Sequence, residues 1–294
     1  MPPTSIRPAR PTDDDAVLRL CLENLDPADA DTESLRPLLR TQPDLSVGYV
    51  AVDGADIVGA AYGTLTPHEP GAAAVTLIVV AEAYRRQSVG TALLPTLEDR
   101  LRSLGATEIS AGGGQPRFWW PGIDRRATDA LAFFSDQGYE EEDSALNLVV
   151  DLGAADLAPR PVGSVVIRRL GPAEWPAFLD WMNETWDDPW GDEATTTLGH
   201  DPVSCFVAQL DGRYVGFAAY DTNRPGWFGP MGSSPSARGL GLGSELLRTC
   251  LRDYVDLGRT SCEIGWVGPV EFYAKAVGAV PGREFAQLRK DLAR

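Results

Sequence analysis

The sequence predicts an α/β protein of two tandem domains, each a mostly antiparallel mixed sheet flanked by helices. Three observations predict it. The chain has 294 residues, enough for two separate cores. A hairpin, a strand, a glycine-rich turn and a helix occur twice in the same order. Between the copies lies a stretch rich in Ala, Pro and Gly and poor in large apolar residues.

Each copy opens with a short strand, a proline-bearing break and a helix: "SIRPARPTDDDAVLRL" (5 to 20) and "VVIRRLGPAEWPAFLDWM" (165 to 182). Hairpins follow in "YVAVDGADIVGAAYG" (49 to 63) and "FVAQLDGRYVGFAAYD" (206 to 221). Both alternate apolar and polar residues around Asp-Gly, at Asp53-Gly54 and Asp211-Gly212, a strong short-range hairpin signal. Next come "LIVVAEAYRRQSVGTALLPTLEDRL" (77 to 101) and "WFGPMGSSPSARGLGLGSELLRTCL" (227 to 251), each an apolar strand, an arginine, glycines and a helix. Leu246, Leu247, Cys250, Leu251 and Val255 carry the spacing of a buried helical face. The segment "LGAADLAPRPVGS" (152 to 164) has linker composition, which sets domains at 1–155 and 163–294.

Composition excludes several classes. A formal net charge of −16 opposes the phosphate backbone, so no nucleic acid partner is expected. No apolar run approaches the roughly 20 residues of a membrane span, and the N-terminus lacks a signal-peptide core, so no membrane partner and a cytoplasmic location are expected. Cys21, Cys205, Cys250 and Cys262 show no paired spacing, which predicts free thiols and no metal site. His68 and His200 are the only histidines, and neither lies near a nucleophile elbow.

The glycines of "ARGLGLGSELL" (237 to 247) stand at a helix N-terminus, where unpaired amides and the helix dipole favour an anion. Arg238 adds a charge that does not titrate near neutrality. Gly243-Ser244 lacks the lysine of a Walker loop, and Gly239, Gly241 and Gly243 lack the Gly-x-Gly-x-x-Gly spacing of a dinucleotide fingerprint. A phosphate or pyrophosphate of another kind remains.

This turn resembles the acetyl-CoA-binding motif of the GNAT superfamily of N-acetyltransferases, Gln/Arg-x-x-Gly-x-Gly/Ala, through Arg238, Gly241 and Gly243. The first copy is similar through Gln87, Gly90 and Ala92. The resemblance covers two tandem domains and implies that the backbone from Gly239 through Leu242 to Ser244 holds the pyrophosphate of acetyl-CoA. It also implies that a backbone N–H near Met231 or Gly232 polarises the acetyl carbonyl. Family members carry a late tyrosine that protonates the departing thiolate. "EFYAKAVGA" (271 to 279) supplies Tyr273, whereas "LAFFSDQGYE" (131 to 140) has Phe134 at that place.

Phenylalanine cannot donate a proton. Arg86 and Ser88 stand where the second copy has Gly239 and Gly241, and side chains there restrict close approach to the backbone. Pro95 lies within the first-copy helix and predicts a kink or a displaced helix start. The second copy is therefore expected to be the catalytic one. The reaction expected is direct attack of a primary amine on acetyl-CoA, with Glu263 as the base and Asp221 as a weaker candidate. Trp181, Trp186 and Trp190 interleaved with Asp187, Asp188, Asp192 and Glu193 suit a small cationic acceptor such as an amino sugar, an aminoglycoside-like molecule or a polyamine. The competing expectation is a non-catalytic CoA-binding or interaction protein with a degenerate duplicated fold.

Overall fold

A computed structural model describes residues 4–42, 44–114, 118–186 and 190–293. The chain forms two compact units. The second is Ala145–Glu284, and the first takes the chain up to Ser144 and again from Phe285 onward.

In the first unit β1 (Ser5–Pro8) precedes α1 (Asp14–Asn24) and α2 (Thr32–Leu35). Then follow β2 (Ser46–Asp53), β3 (Asp56–Leu65), β4 (Ala72–Val80), α3 (Val89–Ser103), β5 (Glu108–Ala111), β6 (Ile123–Asp124), α4 (Thr128–Asp136) and the start of β7 (Glu140–Asp151). The strands run β1-β2-β3-β4 antiparallel, and β5 joins β4 in parallel. The second unit repeats this with β8 (Val166–Arg169), α5 (Trp175–Thr185), α6 (Trp190–Thr195), β9 (Cys205–Leu210), β10 (Arg213–Tyr220), β11 (Trp227–Ser233), α7 (Leu242–Asp256), β12 (Ser261–Ile264), α8 (Val270–Val277) and the start of β13 (Val280–Asp291). Its order is β8-β9-β10-β11, with β12 parallel to β11.

The hairpins form where Asp-Gly predicts them, with one difference of register. Asp211 and Gly212 are the two loop residues, both at positive φ (51° and 75°), the geometry that matches strand twist. In the first hairpin Asp53 still pairs with Asp56, so the loop is Gly54-Ala55.

The boundary differs from the one expected at 155–163. Val149 and Val150 pair with Glu263 and Cys262 of β12, whereas Arg289 and Lys290 pair with Ser110 and Ile109 of β5. Residues 145–151 thus belong to the sheet of the second unit, and residues 285–291 to that of the first. Residues 152–160 are also not a free linker. Arg160 N–H donates to Glu245 Oε2 at 2.9 Å, Arg252 to Leu157 C=O at 2.9 Å and Arg248 to Asp156 C=O at 3.3 Å. A segment whose backbone carbonyls and amides are taken by charged side chains of α7 is part of the second unit.

Both cores follow the periodicity. In α3, Leu93, Leu94, Leu97 and Leu101 are fully buried, with α1 covering the other face of the sheet through Val17, Leu18 and Cys21. In α7, Leu246, Leu247, Cys250 and Leu251 are buried as expected, but Val255 is 45% exposed and Tyr254 takes the inward position. All four cysteines are free and buried. Among the described residues no helix is long and apolar enough to cross a membrane.

Candidate active site

The turn before α7 is built by backbone conformation. Gly239 and Gly241 adopt φ of 82° and 81°, and nothing lies within 4 Å of a Cβ added at either. Glycine is favoured there by the left-handed φ, not by crowding from the protein. In the first unit Arg86 and Ser88 hold the same left-handed conformations, at 59° and 64°. Both helices start at the next residue, so Pro95 neither displaces nor ends α3. The displaced helix start expected from Pro95 does not occur; the first copy keeps the turn with two strained non-glycine residues, each costing roughly 1–2 kcal/mol.

These helix starts also set the register between copies. Ser88 matches Gly241, so Arg85 matches Arg238 and Gly90 matches Gly243. The structural equivalents therefore lie two residues before the motif match at Gln87, Gly90 and Ala92. Gln87 turns back to donate to Ala83 C=O at 2.6 Å, and Ala92 makes the first helical bond, to Ser88 C=O at 3.0 Å. In α7 that first bond is Glu245 N–H to Gly241 C=O at 3.3 Å, so the amides of Leu242, Gly243 and Ser244 precede the ladder. Neither helix has a side-chain N-cap. Arg238 is exposed and makes no ion pair with the described residues. Uncapped amides, a left-handed turn and an uncommitted guanidinium fit the pyrophosphate of acetyl-CoA.

Strand divergence opens the space beside each turn. β11 pairs with β12 only at Trp227–Glu263 and Phe228–Ile264, then runs on through Ser233 without it. A register shift on the β10 side lies between Phe228 and Met231. Ser234 N–H bonds Val215 C=O at 2.9 Å, so by strand alternation Gly232 also faces β10. Met231 N–H then faces the side that β12 has left. Gly232 matters for its missing side chain, since an added Cβ would lie 2.8 Å from Trp186 and 3.1 Å from Trp190.

Gly243 admits a close approach. A Cβ there would meet Met231 Cε at 3.2 Å and Phe272 Cζ at 3.4 Å, and at Gly90 it would meet Phe133 at 3.2 Å. Phe133 thus corresponds to Phe272, and Phe134 to Tyr273, as the sequence suggests. Tyr273 is 8% exposed, edge-on to Phe272, and its hydroxyl takes no hydrogen-bond partner among the described residues. Desolvation pushes its pKa up to about 12, which keeps the phenol protonated through the neutral range.

Glu263 is held by two neighbours. Asn147 Nδ2 donates to its Oε1 at 2.7 Å, and Arg283 Nε lies 3.4 Å from the same oxygen. The other carboxylate candidate, Asp221, accepts from Tyr254 Oη at 2.7 Å, Arg259 at 3.0 Å and Gly226 N–H, an arrangement that fixes a turn. Trp181, Trp186 and Trp190 pack around Phe217 and remain partly exposed. Asp192 is exposed and Glu193 is buried, accepting from Asn223 at 2.7 Å, while Asp187 and Asp188 lie outside the described residues.

The first unit holds a cavity of about 790 Å³ beside its own turn, lined by Thr76, Val80, Arg86, Ser88, Gly90 and Phe133 among others. Sequence reasoning missed Asn147 and Arg283, which reach Glu263 from strands remote in sequence. Among the described residues no group of three His, Cys, Asp or Glu side chains could hold a metal.

Comparison with known proteins bears on these features. No curated protein sequence matches the chain. Among solved structures it is similar to a GCN5-related glucosamine N-acetyltransferase region of a fungal multi-domain GH3 β-N-acetylglucosaminidase (TM-score 0.81, 20% identity, 98% of this chain), although it spans only 38% of that protein's chain. It is also similar to a GCN5-related N-acetyltransferase from Sphaerobacter thermophilus (TM-score 0.71, 20% identity, 98% of this chain and 96% of that one). A tandem GNAT protein from the clavulanic acid biosynthesis pathway matches at a TM-score of 0.71 and 18% identity, over 99% of each chain. The acetyltransferase (GNAT) family profile matches residues 17–117 and 175–278, one stretch in each copy, and the chain belongs to that family.

Proposed function

We propose that the second unit transfers an acetyl group from acetyl-CoA to the primary amine of a small cationic acceptor, by direct attack without a covalent enzyme intermediate. The observation that carries this reading is that one unit combines an uncapped turn at Arg238–Ser244 with a buried tyrosine on the helix packed against it. Acetyl-CoA supplies the activated acyl carbon. The amides of Leu242, Gly243 and Ser244, with Arg238, hold the pyrophosphate, and Gly239 and Gly241 let the turn present them. Met231 N–H hydrogen-bonds the acetyl oxygen as charge builds there.

Tyr273 Oη donates to the departing sulfur, its phenol being the neutral form at working pH. Glu263, steadied by Asn147 and Arg283, receives the proton of the incoming amine through water. Trp186 and Trp190, over Gly232, and the acidic charge of the α5–α6 region favour a cationic acceptor. The first unit keeps the turn and a cavity but has Phe134 in place of the proton donor, which supports a role in binding CoA without catalysis.

The test is thiol release from acetyl-CoA with glucosamine, spermidine, a neutral amine and glutamate as acceptors. Turnover of the cationic amines is expected. Turnover confined to neutral or anionic acceptors overturns the acceptor class, and no turnover with any of them overturns acetyl transfer.

A further inference from the structure

The side chain of Met231 reaches from β11 to both helices of the candidate site. Its terminal Cε lies 3.2 Å, and Phe272 Cζ 3.4 Å, from the position that a Cβ on Gly243 would take. A strand side chain, the first turn of α7 and a ring of α8 thus converge on one point. Met231 and Phe272 pack on the same core cluster, on the sheet face that α7 and α8 cover. Gly232, next along the strand, turns to the opposite face, where an added Cβ would meet Trp186 and Trp190.

The first unit has the same place without this contact. A Cβ added at Gly59 would meet Val89, Leu93 and Val79 C=O, and one added at Gly216 would meet Leu242, Leu246 and Gly232 C=O. Val79 therefore matches Gly232, and Ile78 matches Met231. Strand pairing agrees, with Gly59 opposite Val80 and Gly216 opposite Ser233. Apart from Phe133, the nearest atom to a Cβ on Gly90 is Val80 Cγ2 at 3.8 Å, so Ile78 comes no closer than that. Ile78, Gly90 and Phe133 instead line the cavity of about 790 Å³. The shorter, branched side chain goes with open space, and the longer, unbranched methionine goes with a closed contact.

We propose that Met231 is a specificity-determining residue for the acyl donor, its side chain closing the second unit, with Phe272 and Gly243, to acyl groups longer than acetyl. The proposal rests on the acetyl-transfer reading above. With the carbonyl oxygen on Met231 N–H and the sulfur at Tyr273, the acyl carbon lies against the backbone of Met231 itself. The amine arrives from the face of Trp186 and Trp190 and needs that side of the carbonyl clear. Further methylenes then run toward Met231 Cε and Phe272. A pocket short by one methylene discriminates by about 10- to 200-fold.

The experiment measures kcat/KM for acetyl-CoA and butyryl-CoA, with glucosamine and spermidine as acceptors, in wild type, Met231→Ala and Met231→Ile. Both variants keep the backbone N–H, and isoleucine is the residue that the first unit carries in this strand position. Wild type should favour acetyl-CoA by at least about 10-fold, and Met231→Ala should cut that preference by about 10-fold. Should Met231→Ala not fold, Met231→Ile decides, with a preference narrowed by at least about 3-fold. Equal use of both donors by wild type, or a preference left unchanged by the deciding variant, overturns the proposal. If wild type consumes neither donor, the acetyl-transfer reading fails separately, and calorimetric titration of both donors then decides. Tighter binding of acetyl-CoA in wild type, narrowed in the variant, supports the closed site. Equal affinities, an unchanged gap or no binding to wild type overturns it.

Discussion

Replacing Gly241 by serine writes the first unit's turn into the second, and the structure sets what this should cost. Gly241 has φ 81° and no atom within 4 Å of an added Cβ, so the substitution meets no clash within the protein. The penalty is that of a left-handed non-glycine residue, about 1 kcal/mol. With a urea dependence of ~2 kcal/mol per molar, the unfolding midpoint should fall by roughly 0.5 M. Ser88 already holds this conformation at 64° in front of an uncapped helix, so the amides of Leu242 to Ser244 should keep their directions. Acetyl-CoA affinity, measured by calorimetry, should change less than about 3-fold, which is under ~0.7 kcal/mol. The reverse change, Ser88→Gly, should raise stability by a similar amount. Loss of acetyl-CoA binding by more than about 10-fold with an unchanged midpoint would mean instead that glycine is needed for ligand approach and not for backbone conformation.

Three further outcomes follow from buried groups. Tyr273 ionises near 10 when unfolded and at about 12 when folded, so its contribution to stability is complete below pH 10 and is lost as pH rises toward 12. Tyr273→Phe should therefore gain about 1.4 kcal/mol relative to wild type between pH 9 and pH 11 in urea melts, and a pH-independent difference would contradict the burial of the phenol. Lys290 Nζ lies 2.7 Å from Glu98 Oε2, a carboxylate only 3% exposed that also accepts from Tyr139 Oη at 3.0 Å. Lys290→Met should cost about 3 kcal/mol, with much of it recovered in Glu98→Leu/Lys290→Met, as read by thermal unfolding. Glu245→Ala leaves Arg248, 3% exposed, without its carboxylate neighbour, and should release residues 152–160 to limited proteolysis that wild type resists.

Much of the fold was legible because duplication doubles each signal. A hairpin with Asp-Gly, a glycine turn and a helix of buried leucines read the same way in both copies, and the structure has them in that order. The closing strands were not legible in the same way. "ALNLVVD" (145 to 151) and "FAQLRKD" (285 to 291) both run antiparallel to a short parallel-paired strand, and alternation fixes which face a residue takes, not which sheet it joins. The segment from 152 to 160 read as a linker from its composition, and only Arg248 and Arg252 of α7 show where its carbonyls go.

At the candidate site, chemistry was more visible than register. Tyr273 against Phe134 stands out by residue type, and Gly90 and Gly243 confirm the match by their contacts with Phe133 and Phe272. The first-copy motif was matched two residues late because Gln87, Gly90 and Ala92 satisfy a pattern of letters, while the left-handed residues that shape the turn are Arg86 and Ser88. Side chains at positive φ leave no mark in a sequence.

The assignment of catalysis to the second unit is tested most directly by CoA release from acetyl-CoA, with glucosamine and spermidine as acceptors, in wild type, Tyr273→Phe and Phe134→Tyr. Wild type should turn over, Tyr273→Phe should lower kcat by about 10²-fold or more, and Phe134→Tyr should leave the rate unchanged. Full activity in Tyr273→Phe, or a rate that rises with Phe134→Tyr, would contradict the assignment of the chemistry to the second unit.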